Sequence, residues 1–483
     1  KIGFDPWLHS VDEIEQYKRS MANTEITLQA TQNLVDIIWK DQPSAPTEKS
    51  FPYEDEFAGA TQSSKRKTLA KELKIHGNSA SVITLPEGIA WLLNIRGGDV
   101  EHLPIVQAFS ILHSNNEVDI FVDKRKVENL KEHFGDGINL YNENDFLSQL
   151  TTLTGSICID KSSLPFAAYE GLLASKATLD PRGDITALPK ACKNEIELSR
   201  ARDAHLIDAI AMCKFLCWLN SQSAGILTEI DIVIELESFR SANPELYDIS
   251  FETICASGPN AALPHYRVNN DSNRTIKNGE VILIDSGGQY KSGTTDITRT
   301  TALGQVSSEI KQAFTLVLKG MISISKLRFP KGMAGCDLDA FARVFLWSEG
   351  LDFAHGTGHG VGQFLSVHEG PQRLSRTSNV PFEAGMIISN EPGFYKEGHF
   401  GIRIENLLTV SKAPKLEHSV VAEMFIFETL NFVPIDKNLI EKDLMSTDEI
   451  VWLNEYHSQC REKIRAHLDE NERIWLDHAT NKL

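Results

Sequence analysis

Two pairs of acidic residues stand at the ends of apolar segments in the C-terminal half of this 483-residue chain. In VILIDSGGQYKSGTTDITRT, four apolar residues run directly into Asp285, and Asp296 follows eleven positions later. In GMIISNEPGFYKEGHFGIRIENLLTV, Glu391 and Glu405 flank the turn-forming KEGHFG. A buried carboxylate is costly unless it is paired, hydrogen-bonded or bound to a metal. The repeated pattern therefore favours a site that uses negative charge, although a single carboxylate at a strand end is more often a cap or a surface residue.

Histidines lie between and before these acidic segments. His355, His359 and His368 occur with five glycines in DFAHGTGHGVGQFLSVHEG, and His265 lies in NAALPHYRVNN. In an extended chain His355 and His359 share one face, and the glycines allow the backbone to approach a ligand closely. Four carboxylates and a histidine suit two divalent metal ions, with Mn²⁺ preferred and Co²⁺, Zn²⁺ or Fe²⁺ as alternatives. Such a pair activates water and polarises a carbonyl group. For any one histidine, a structural role in a loop is the alternative.

Two β-hairpins must position the four carboxylates. The segment 281–300 is predicted to turn about position 290, which places Asp285 opposite Asp296. The second segment is predicted to bring Glu405 on its return strand to Glu391. Cross-strand neighbours lie about 5 Å apart, so paired carboxylates repel each other strongly. Bound metal would explain why they are tolerated.

The surrounding pattern predicts two kinds of domain. Helices and strands alternate over 64–185, as in an α/β domain, and the part that follows DPRGDITALPK is α+β. The fold class is therefore a multidomain combination of α/β and α+β. We expect helices over 12–40, 194–220, 228–241, 307–327 and 337–349, a helical tail from 447, and strands over 281–285, 386–390 and 402–410.

Composition limits the classes of partner. Hydrophobic residues make up 41% and charged residues 24% of the chain, as in soluble globular proteins. The net charge of −18 argues against nucleic acid or an anionic membrane as the main partner. No apolar run approaches the roughly 18 residues of a membrane helix. Seven cysteines without a CxxC pair indicate a reduced, cytoplasmic protein.

The order of acidic residues and histidine resembles the "pita-bread" metallopeptidases, which include methionine aminopeptidase, prolidase and aminopeptidase P. The segments IDSGGQY, TTDITRT, GTGHGVG, NEPGFY and GIRIENL carry the resemblance, which extends from about residue 190 to the end. Upstream, GFDPWLHSVDEIEQY and GIAWLLNIRGGDVEHLPI are similar to the non-catalytic part of the Xaa-Pro aminopeptidases (aminopeptidase P). The tail WLNEYHSQCREKI is similar to the longer members of that family.

The resemblance implies a domain organisation and an activity. Residues 187–483 would form the pita-bread catalytic domain with a C-terminal helical extension, and residues 51–185 a non-catalytic α/β domain. Residues 1–44 resemble the end of a further N-terminal domain plus a linker, so we expect most of that domain to be absent. The activity would be hydrolysis of the N-terminal residue from peptides with proline in second position. Family members often dimerise through the catalytic domain, which implies a homodimer.

The resemblance also assigns roles to individual residues. Asp285 would chelate one metal ion, His359 would ligate the other, and Asp296 and Glu405 would bridge the two. Glu391 would be a ligand and a proton shuttle. Three histidines would position substrate and stabilise the tetrahedral intermediate, and one arginine would orient a bridging carboxylate; these are His265, His355, His368 and Arg403.

Three alternatives share the fold. Prolidase has the same metal set but cleaves dipeptides with proline at the C-terminus; RGGDVEH and the long tail favour aminopeptidase P. A non-catalytic peptide-binding domain and creatinase, which uses the fold without metal, are disfavoured. Both would be expected to lack metal ligands, and all five ligand positions are occupied here.

Overall fold

The computed structural model describes residues 1–418 and 420–483, which divide into two compact units, Lys1–Lys190 and Ala191–Leu483. Within the described residues, no helix is both long enough and apolar enough to span a membrane. The cysteines are all free thiols. Each unit has its own hydrophobic core, as expected for independent domains.

The first unit has an α/β architecture. Its helices are Val11–Ser20, Leu34–Ile38, Asp55–Ala58, Gln62–Ile75, Pro86–Leu93, Lys124–Val127, Lys131–Phe134, Phe146–Leu150, Phe166–Leu173 and Ala187–Ala191. Its strands are Ile2–Phe4, Leu28–Ala30, Phe51–Pro52, Ala80–Ile83, Ile95–Arg96, Phe109–His113, Val118–Phe121, Ile138–Tyr141, Thr154–Cys158 and Lys176–Asp180.

A mixed six-stranded sheet forms the centre of the first unit. The order of its strands is Lys176–Asp180, Thr154–Cys158, Ala80–Ile83, Phe109–His113, Val118–Phe121 and Ile138–Tyr141. Val82, Ile111 and Ile157 on the sheet pack with Phe146 and Leu172 from the covering helices. The predicted α/β alternation is therefore confirmed, because burial on both faces needs helices between the strands.

The predicted helix over residues 12–40 is wrong in its length. Its first part exists as Val11–Ser20, but the chain then turns, forms the strand Leu28–Ala30 and re-enters a short helix. The hydroxyl of Thr24 donates to the carbonyl of Met21 at 2.8 Å and accepts from the amide of Ile26 at 3.2 Å. These side-chain bonds compete with helical hydrogen bonds and end the helix.

The second unit is α+β. Its helices are Glu195–Asn220, Glu229–Ser241, Ser308–Ser325, Gly335–Trp347, Thr447–Ile464 and Glu470–Ala479. Its strands are Leu246–Ile249, Ile254–Ser257, Glu280–Ser286, Gly288–Tyr290, Gly293–Thr294, Ile297–Leu303, Arg328–Pro330, Gly358–Gly360, Glu369–Leu374, Ile387–Asn390, Gly393–Lys396, Phe400–Arg403, Asn406–Lys412 and Met424–Thr429.

Two antiparallel sheets carry the site residues of the second unit. The smaller has the order Ile254–Ser257, Glu280–Ser286 and Ile297–Leu303. The larger has the order Arg328–Pro330, Met424–Thr429, Asn406–Lys412, Ile387–Asn390, Gly358–Gly360 and Glu369–Leu374. These sheets agree with the predicted strands, except that 402–410 is interrupted at Ile404 and Glu405.

Helices cover both sheets and confirm the predicted helical segments. Met212 and Phe215 pack with Ile282 and Ile284 of the smaller sheet. The long helix Glu195–Asn220 begins where predicted because the Asn194 side chain accepts from the amides of Ile196 and Glu197. On the larger sheet, the helices Ser308–Ser325 and Gly335–Trp347 contribute the buried side chains Ile324, Leu338 and Ala342.

The first acidic hairpin has a different register from the predicted one. Asp285 pairs with Thr298, and the turn is centred on Lys291 and Ser292 rather than at position 290. The same register, continued, places Asp296 opposite Gly287. A Cβ atom at Gly287 would collide with the carbonyl of Thr295, so the ladder needs glycine there. A shift of one residue in the centre of the turn thus moves the cross-strand partner of Asp285 by two positions, from Asp296 to Thr298.

The second acidic hairpin agrees with the prediction. Asn390 pairs with Asn406 on one side of the interruption, and Gly393 pairs with Arg403 on the other. The register is the same in both ladders, so Glu391 and Glu405 face each other where the ladder is interrupted. The two carboxylates therefore lie between two hydrogen-bonded ladders that hold them in place.

Candidate metal centre

One cavity of about 550 Å³ collects every residue that the sequence analysis singled out. Its walls include Asp285, Asp296, His359, Glu391 and Glu405, together with His265, His355, His368 and Arg403. Asp285, Asp296 and Glu405 are only 9%, 3% and 1% exposed. The acidic residues at the hairpin ends are therefore buried in one place and are not surface caps.

His359 presents a nitrogen lone pair to the carboxylates. Its Nδ1 lies 3.0 Å from the carbonyl oxygen of Gly360, and a carbonyl can only accept a hydrogen bond. Nδ1 therefore carries the proton of the neutral ring, and Nε2 has a free lone pair. Nε2 lies 3.3 Å from Oε1 of Glu391 and 3.5 Å from Oδ2 of Asp296. A backbone bond that fixes the tautomer in this way is typical of a histidine that ligates metal.

Three side chains form a compact ligand group. One ligand atom from each of Asp296, His359 and Glu405 can be chosen so that all lie within 4.8 Å of one another. Glu391 adjoins the group through its contact with His359. Asp285 contacts Arg403 instead, with 2.6 Å between Oδ2 and Nη2. The structure thus brings four predicted ligands together directly and holds the fifth through an arginine.

The carboxylates disfavour each other's negative charge. Burial and the charges of Glu405, Asp285 and Glu391 raise the pKa of Asp296 well above its ordinary value. Burial and the charges of Glu391 and Asp285 do the same to the pKa of Glu405. The pKa of Glu391 is raised to about 7, mainly by burial. Without a cation, the fully ionised cluster is unfavourable.

Unused oxygen atoms show that the cluster fits a metal centre. Oδ1 of Asp285, Oδ1 of Asp296 and Oε1 of Glu405 are buried and have no hydrogen-bond partner among the described residues. A buried polar atom without a partner costs about 1–3 kcal/mol, and more when it is charged. Carboxylate oxygens and one imidazole nitrogen are the donors that Mn²⁺ and similar divalent ions accept. The residues present therefore fit two divalent cations.

The Arg403 guanidinium connects the ligands to a histidine. Besides Asp285, it donates from Nη1 to the hydroxyl of Tyr395 at 2.7 Å. That hydroxyl lies 2.9 Å from Nε2 of His355, whose Nδ1 lies 2.7 Å from the Gly356 carbonyl. Because Nδ1 must donate to that carbonyl, Tyr395 donates to Nε2 of the neutral ring. Burial and the Arg403 charge lower the pKa of His355 to about 4, which agrees with this neutral form.

Arg403 also reaches one of the carboxylates that the resemblance assigns as a bridge. Its Nε lies 3.2 Å from the hydroxyl of Thr298. That hydroxyl in turn donates to Oε2 of Glu405 at 2.7 Å. The arginine is therefore placed to orient Asp285 directly and Glu405 through Thr298.

The other two histidines lie at the open side of the cavity. His368 is exposed, and its ring stands perpendicular to that of His359 with 4.2 Å between the centroids. His265 is also exposed and lines the same cavity. The predicted shared face of His355 and His359 required an extended chain between them, but the strand Gly358–Gly360 begins only one residue before His359, and residues 355–357 are not in a strand. The Cβ positions of Gly358 and Gly360 are occupied by neighbouring backbone, so these glycines serve strand packing and not ligand approach.

Sequence reasoning missed several residues that support the ligands. The hydroxyl of Ser389 donates to Oε1 of Glu391 at 3.0 Å and accepts from the amide of His359 at 2.9 Å. The Thr298 hydroxyl donates to Glu405, and the Tyr395 hydroxyl donates to His355. All three stand an even number of positions from a ligand on the same strand or hairpin, so a period-two search from each carboxylate would have found them.

A second missed element lies on the helix Gly335–Trp347. Arg343 is 2% exposed and donates from Nη2 to the carbonyl of His355 at 2.7 Å. Its Nε donates to Asp339 at 2.6 Å, and Asp339 accepts from the Thr357 hydroxyl at 2.7 Å. This buried pair anchors the backbone around His355. No local pattern in the sequence relates it to the cavity, because helix and loop meet only in the fold.

Profiles of known families account for nearly all of the chain. The metallopeptidase family M24 profile matches residues 199–412, which contain all the residues of the cavity. The creatinase/prolidase N-terminal domain matches residues 41–197, and the C-terminal region of peptidase M24 matches residues 423–483.

Relatives match over the whole length. Aminopeptidase P1 of Lotus japonicus is 35% identical, and the match covers 99% of this chain and 83% of the relative. The probable Xaa-Pro aminopeptidase P of Coccidioides posadasii (strain C735) is 37% identical over 100% of this chain and 77% of the relative. Aminopeptidase P2 of Arabidopsis thaliana is 38% identical over 100% of this chain and 74% of the relative.

Solved structures agree with this assignment. The X-prolyl aminopeptidase of Caenorhabditis elegans, described as a cytosolic enzyme with a di-nuclear active site, superposes with a TM-score of 0.94 at 32% identity. That match covers 100% of this chain and 81% of the other. The prolidase of Pyrococcus horikoshii superposes with a TM-score of 0.62 at 23% identity over 77% of this chain and 99% of the other, which shows a shared fold. The predicted pita-bread fold and family are confirmed: the chain belongs to the aminopeptidase P (Xaa-Pro aminopeptidase) family of the M24 metallopeptidases.

Proposed function

We propose that this chain removes the N-terminal residue from peptides that have proline in second position. The observation that carries the proposal is the buried cluster of carboxylates with unused oxygens around Nε2 of His359. Family membership and the names of the full-length relatives support the same activity. A non-catalytic peptide-binding role is disfavoured, because such a role does not need four mutually repelling buried carboxylates.

Two divalent ions would be held by Asp285, Asp296, His359, Glu391 and Glu405. We propose Mn²⁺ as the ion, because oxygen donors outnumber the single nitrogen donor. Asp296 and Glu405 would be the ligands shared by the two ions. The chemistry supplied by two such ions, when bound, is a nucleophile made from water and a polarised carbonyl group.

The residues of the chain would handle the proton and orient the peptide. The Glu391 carboxylate lies beside Nε2 of His359 and accepts from the Ser389 hydroxyl, and it would take a proton and return it to the leaving nitrogen. His265, His355 and His368 line the same cavity and would hold the carbonyl group and the proline ring. The bond before proline has no N–H group, so recognition cannot depend on a bond to that hydrogen.

Prolidase is the second candidate, since its solved structures share the fold. The full-length matches to aminopeptidase P favour the aminopeptidase, and so does the TM-score of 0.94 against an X-prolyl aminopeptidase, compared with 0.62 against the prolidase. The two activities differ in substrate length: prolidase acts on dipeptides with C-terminal proline, whereas the proposed enzyme needs at least one residue after proline.

We also propose a division of the chain into three domains, a cytoplasmic location and a homodimer formed through the catalytic unit. The proposed domains are residues 1–44, 51–185 and 187–483. Exposed apolar side chains on the helix Gly335–Trp347 support the homodimer: Phe341, Val344 and Trp347 are 44%, 47% and 43% exposed. Such a cluster on one helix marks an association surface.

The activity is tested with Arg-Pro-Pro. Metal-stripped protein is expected to release arginine only after Mn²⁺ is added, and Asp296→Asn is expected to abolish release because it removes one ligand charge. Chromatography of the free amino acid is the measurement. Cleavage of Arg-Pro but not Arg-Pro-Pro would favour prolidase, and inactivity on both by protein that binds two ions would contradict the proposal.

Substitution of Tyr395 by Phe tests the bond chain from Arg403 to His355. Loss of the hydroxyl removes the bond to Nε2 of His355 and one of the bonds of Arg403, so kcat is expected to fall by about 10- to 100-fold, as for other supporting residues of metal sites. Steady-state kinetics with saturating Mn²⁺ measure the effect. Tyr290→Phe is the matched control, because its buried hydroxyl bonds to Asp208 outside the cavity. Equal losses in the two variants would refute a specific role.

Metal removal should make stability fall as pH rises. Without metal, the pKa values of Asp296, Glu391 and Glu405 are raised, so the folded chain binds protons that the unfolded chain has released. Five histidines have lowered pKa values and act in the opposite direction: His205, His355, His359, His368 and His457. Their effect fades as pH rises above about 6.5, the ordinary histidine pKa. Between about pH 7 and about pH 8, unfolded histidine is mostly neutral and unfolded cysteine mostly protonated, so the raised carboxylate pKa values determine the sign.

Thermal unfolding in a chelator measures this dependence. The melting temperature is expected to fall across that pH range without metal and to rise at every pH when Mn²⁺ is added. The variant Asp296→Asn combined with Glu405→Gln serves as control and should show a shallower dependence. A melting temperature that is independent of both pH and metal would contradict the electrostatic account.

The homodimer is tested by light scattering. The wild-type chain is expected to have twice the monomer mass at micromolar concentration, whereas Val344→Glu should shift it towards monomer by placing a charge in the apolar cluster. Glu349→Lys, next to the same helix, controls for a change of charge alone. A wild-type monomer at high concentration would contradict the homodimer.

A further inference from the structure

Arg373 lies in the wall of the cavity, apart from the carboxylate cluster. It lies on the strand Glu369–Leu374, and its cross-strand Cα partner is the metal-ligand candidate His359. Side chains of directly paired residues project from the same face of a sheet. Arg373 accordingly lines the same cavity as His359 and His368.

The Arg373 guanidinium is exposed and uses none of its donors within the chain. Among residues 1–418 and 420–483, no side chain or carbonyl forms a hydrogen bond or an ion pair with it. The other arginines of the cavity are occupied: Arg403 by Asp285 and Tyr395, and Arg267 by Glu252. Arg373 therefore offers five free donors in a planar fork that matches a carboxylate.

Its charge acts inside the cavity. The Arg373 guanidinium shares one wall of the cavity with His359 and His368. A peptide bound across these histidines therefore meets a cation on this wall. The carboxylates deeper in the cavity are balanced by the proposed metal ions, so Arg373 is the unpaired charge among the described residues of the lining, and it suits a ligand with a negative charge of its own.

A short peptide is such a ligand. Its free C-terminus is a carboxylate, the group that the planar donors of a guanidinium match. In a tripeptide the terminal carboxylate lies two residues beyond the bond to be cut, about 7 Å away when extended. The cavity volume of about 550 Å³ lies within the range of about 300–1,000 Å³ typical of small-ligand sites. Charge and size therefore agree on a short peptide with a free carboxylate.

We infer that Arg373 determines specificity by binding a carboxylate of the leaving peptide. The leaving peptide begins with proline, and the carboxylate belongs to a residue that follows this proline. The carboxylate comes from the free C-terminus of a tripeptide or from an acidic side chain in third position of a longer peptide. This inference rests on the proposed function. It makes the chain an enzyme that prefers short or acidic proline-containing peptides.

Paired substrates test the inference. Hydrolysis of Ala-Pro-Ala is compared with that of its C-terminal amide at low ionic strength in Mn²⁺. The wild-type chain is expected to favour the free acid in kcat/KM by about 3- to 10-fold, the size typical of a partly exposed charged hydrogen bond. Arg373→Gln is expected to abolish this preference, chiefly by raising KM for the free acid. Circular dichroism and the melting temperature in Mn²⁺ show whether the variant folds.

Controls separate charge from position. Arg373→Lys should retain part of the preference, because lysine keeps the positive charge but lacks the planar guanidinium with its paired N–H donors. Arg267→Gln should retain all of it, because that arginine is already paired with Glu252. Hydrolysis of amidated Ala-Pro-Asp-Ala is also compared with that of amidated Ala-Pro-Asn-Ala. A preference for the first peptide would show that an acidic side chain, and not only the free C-terminus, provides the carboxylate that Arg373 binds. A preference that is identical in wild type and Arg373→Gln overturns the inference.

A binding measurement is independent of turnover. Calorimetry of the product Pro-Ala and its amide with metal-loaded protein should show tighter binding of the free acid, lost in Arg373→Gln and weakened by salt. Absence of hydrolysis with both tripeptides would overturn the proposed function, while retention of this binding difference would uphold the role of Arg373. Equal binding of acid and amide by the wild type would overturn that role.

Discussion

Four carboxylates lie together in one cavity, and their mutual repulsion is the constraint on which the rest of the second unit depends. Asp285, Asp296 and Glu405 are each less than a tenth exposed, so water cannot screen their charges. The fold therefore has to supply cations and hydrogen bonds or let the groups protonate. Arg403 supplies one fixed positive charge, which is too little for four carboxylates. A pair of divalent ions supplies four more, enough to balance the cluster.

The backbone meets this constraint by placing three of the four carboxylates, Asp296, Glu391 and Glu405, where a ladder is interrupted, while Asp285 lies within a regular ladder. Glu391 and Glu405 face each other between two ladders of one register, and Asp296 faces Gly287, at a place too tight for a side chain. Strong pairing on both sides limits relaxation of the charged groups. Hydrogen bonds from Thr298, Ser389 and Tyr395 then orient individual oxygens or rings. Such rigidity keeps a metal site in shape before the metal arrives.

The sequence allowed the fold class, the strands and the ligand candidates to be predicted because they follow local rules. An apolar strand that enters a carboxylate is visible in the sequence, and two such hairpins indicate a common site. The register of the first hairpin was wrong, since the turn at Lys291 and Ser292 differs from position 290 by little more than one residue. The helix over 12–40 was too long because side-chain bonds of Thr24 outweigh helical periodicity. The anchoring by Arg343 and the open guanidinium of Arg373 depend on distant segments, so local patterns could not reveal them.

The central claim is that the carboxylate cluster is a dinuclear metal centre. It is tested most directly by diffraction from crystals of Mn²⁺-loaded protein, with anomalous data collected at the manganese absorption edge. The account predicts two anomalous peaks between the side chains of Asp296 and Glu405, with Asp285 next to one and His359 next to the other. No peak in the cavity, or peaks only at surface carboxylates, would contradict the account.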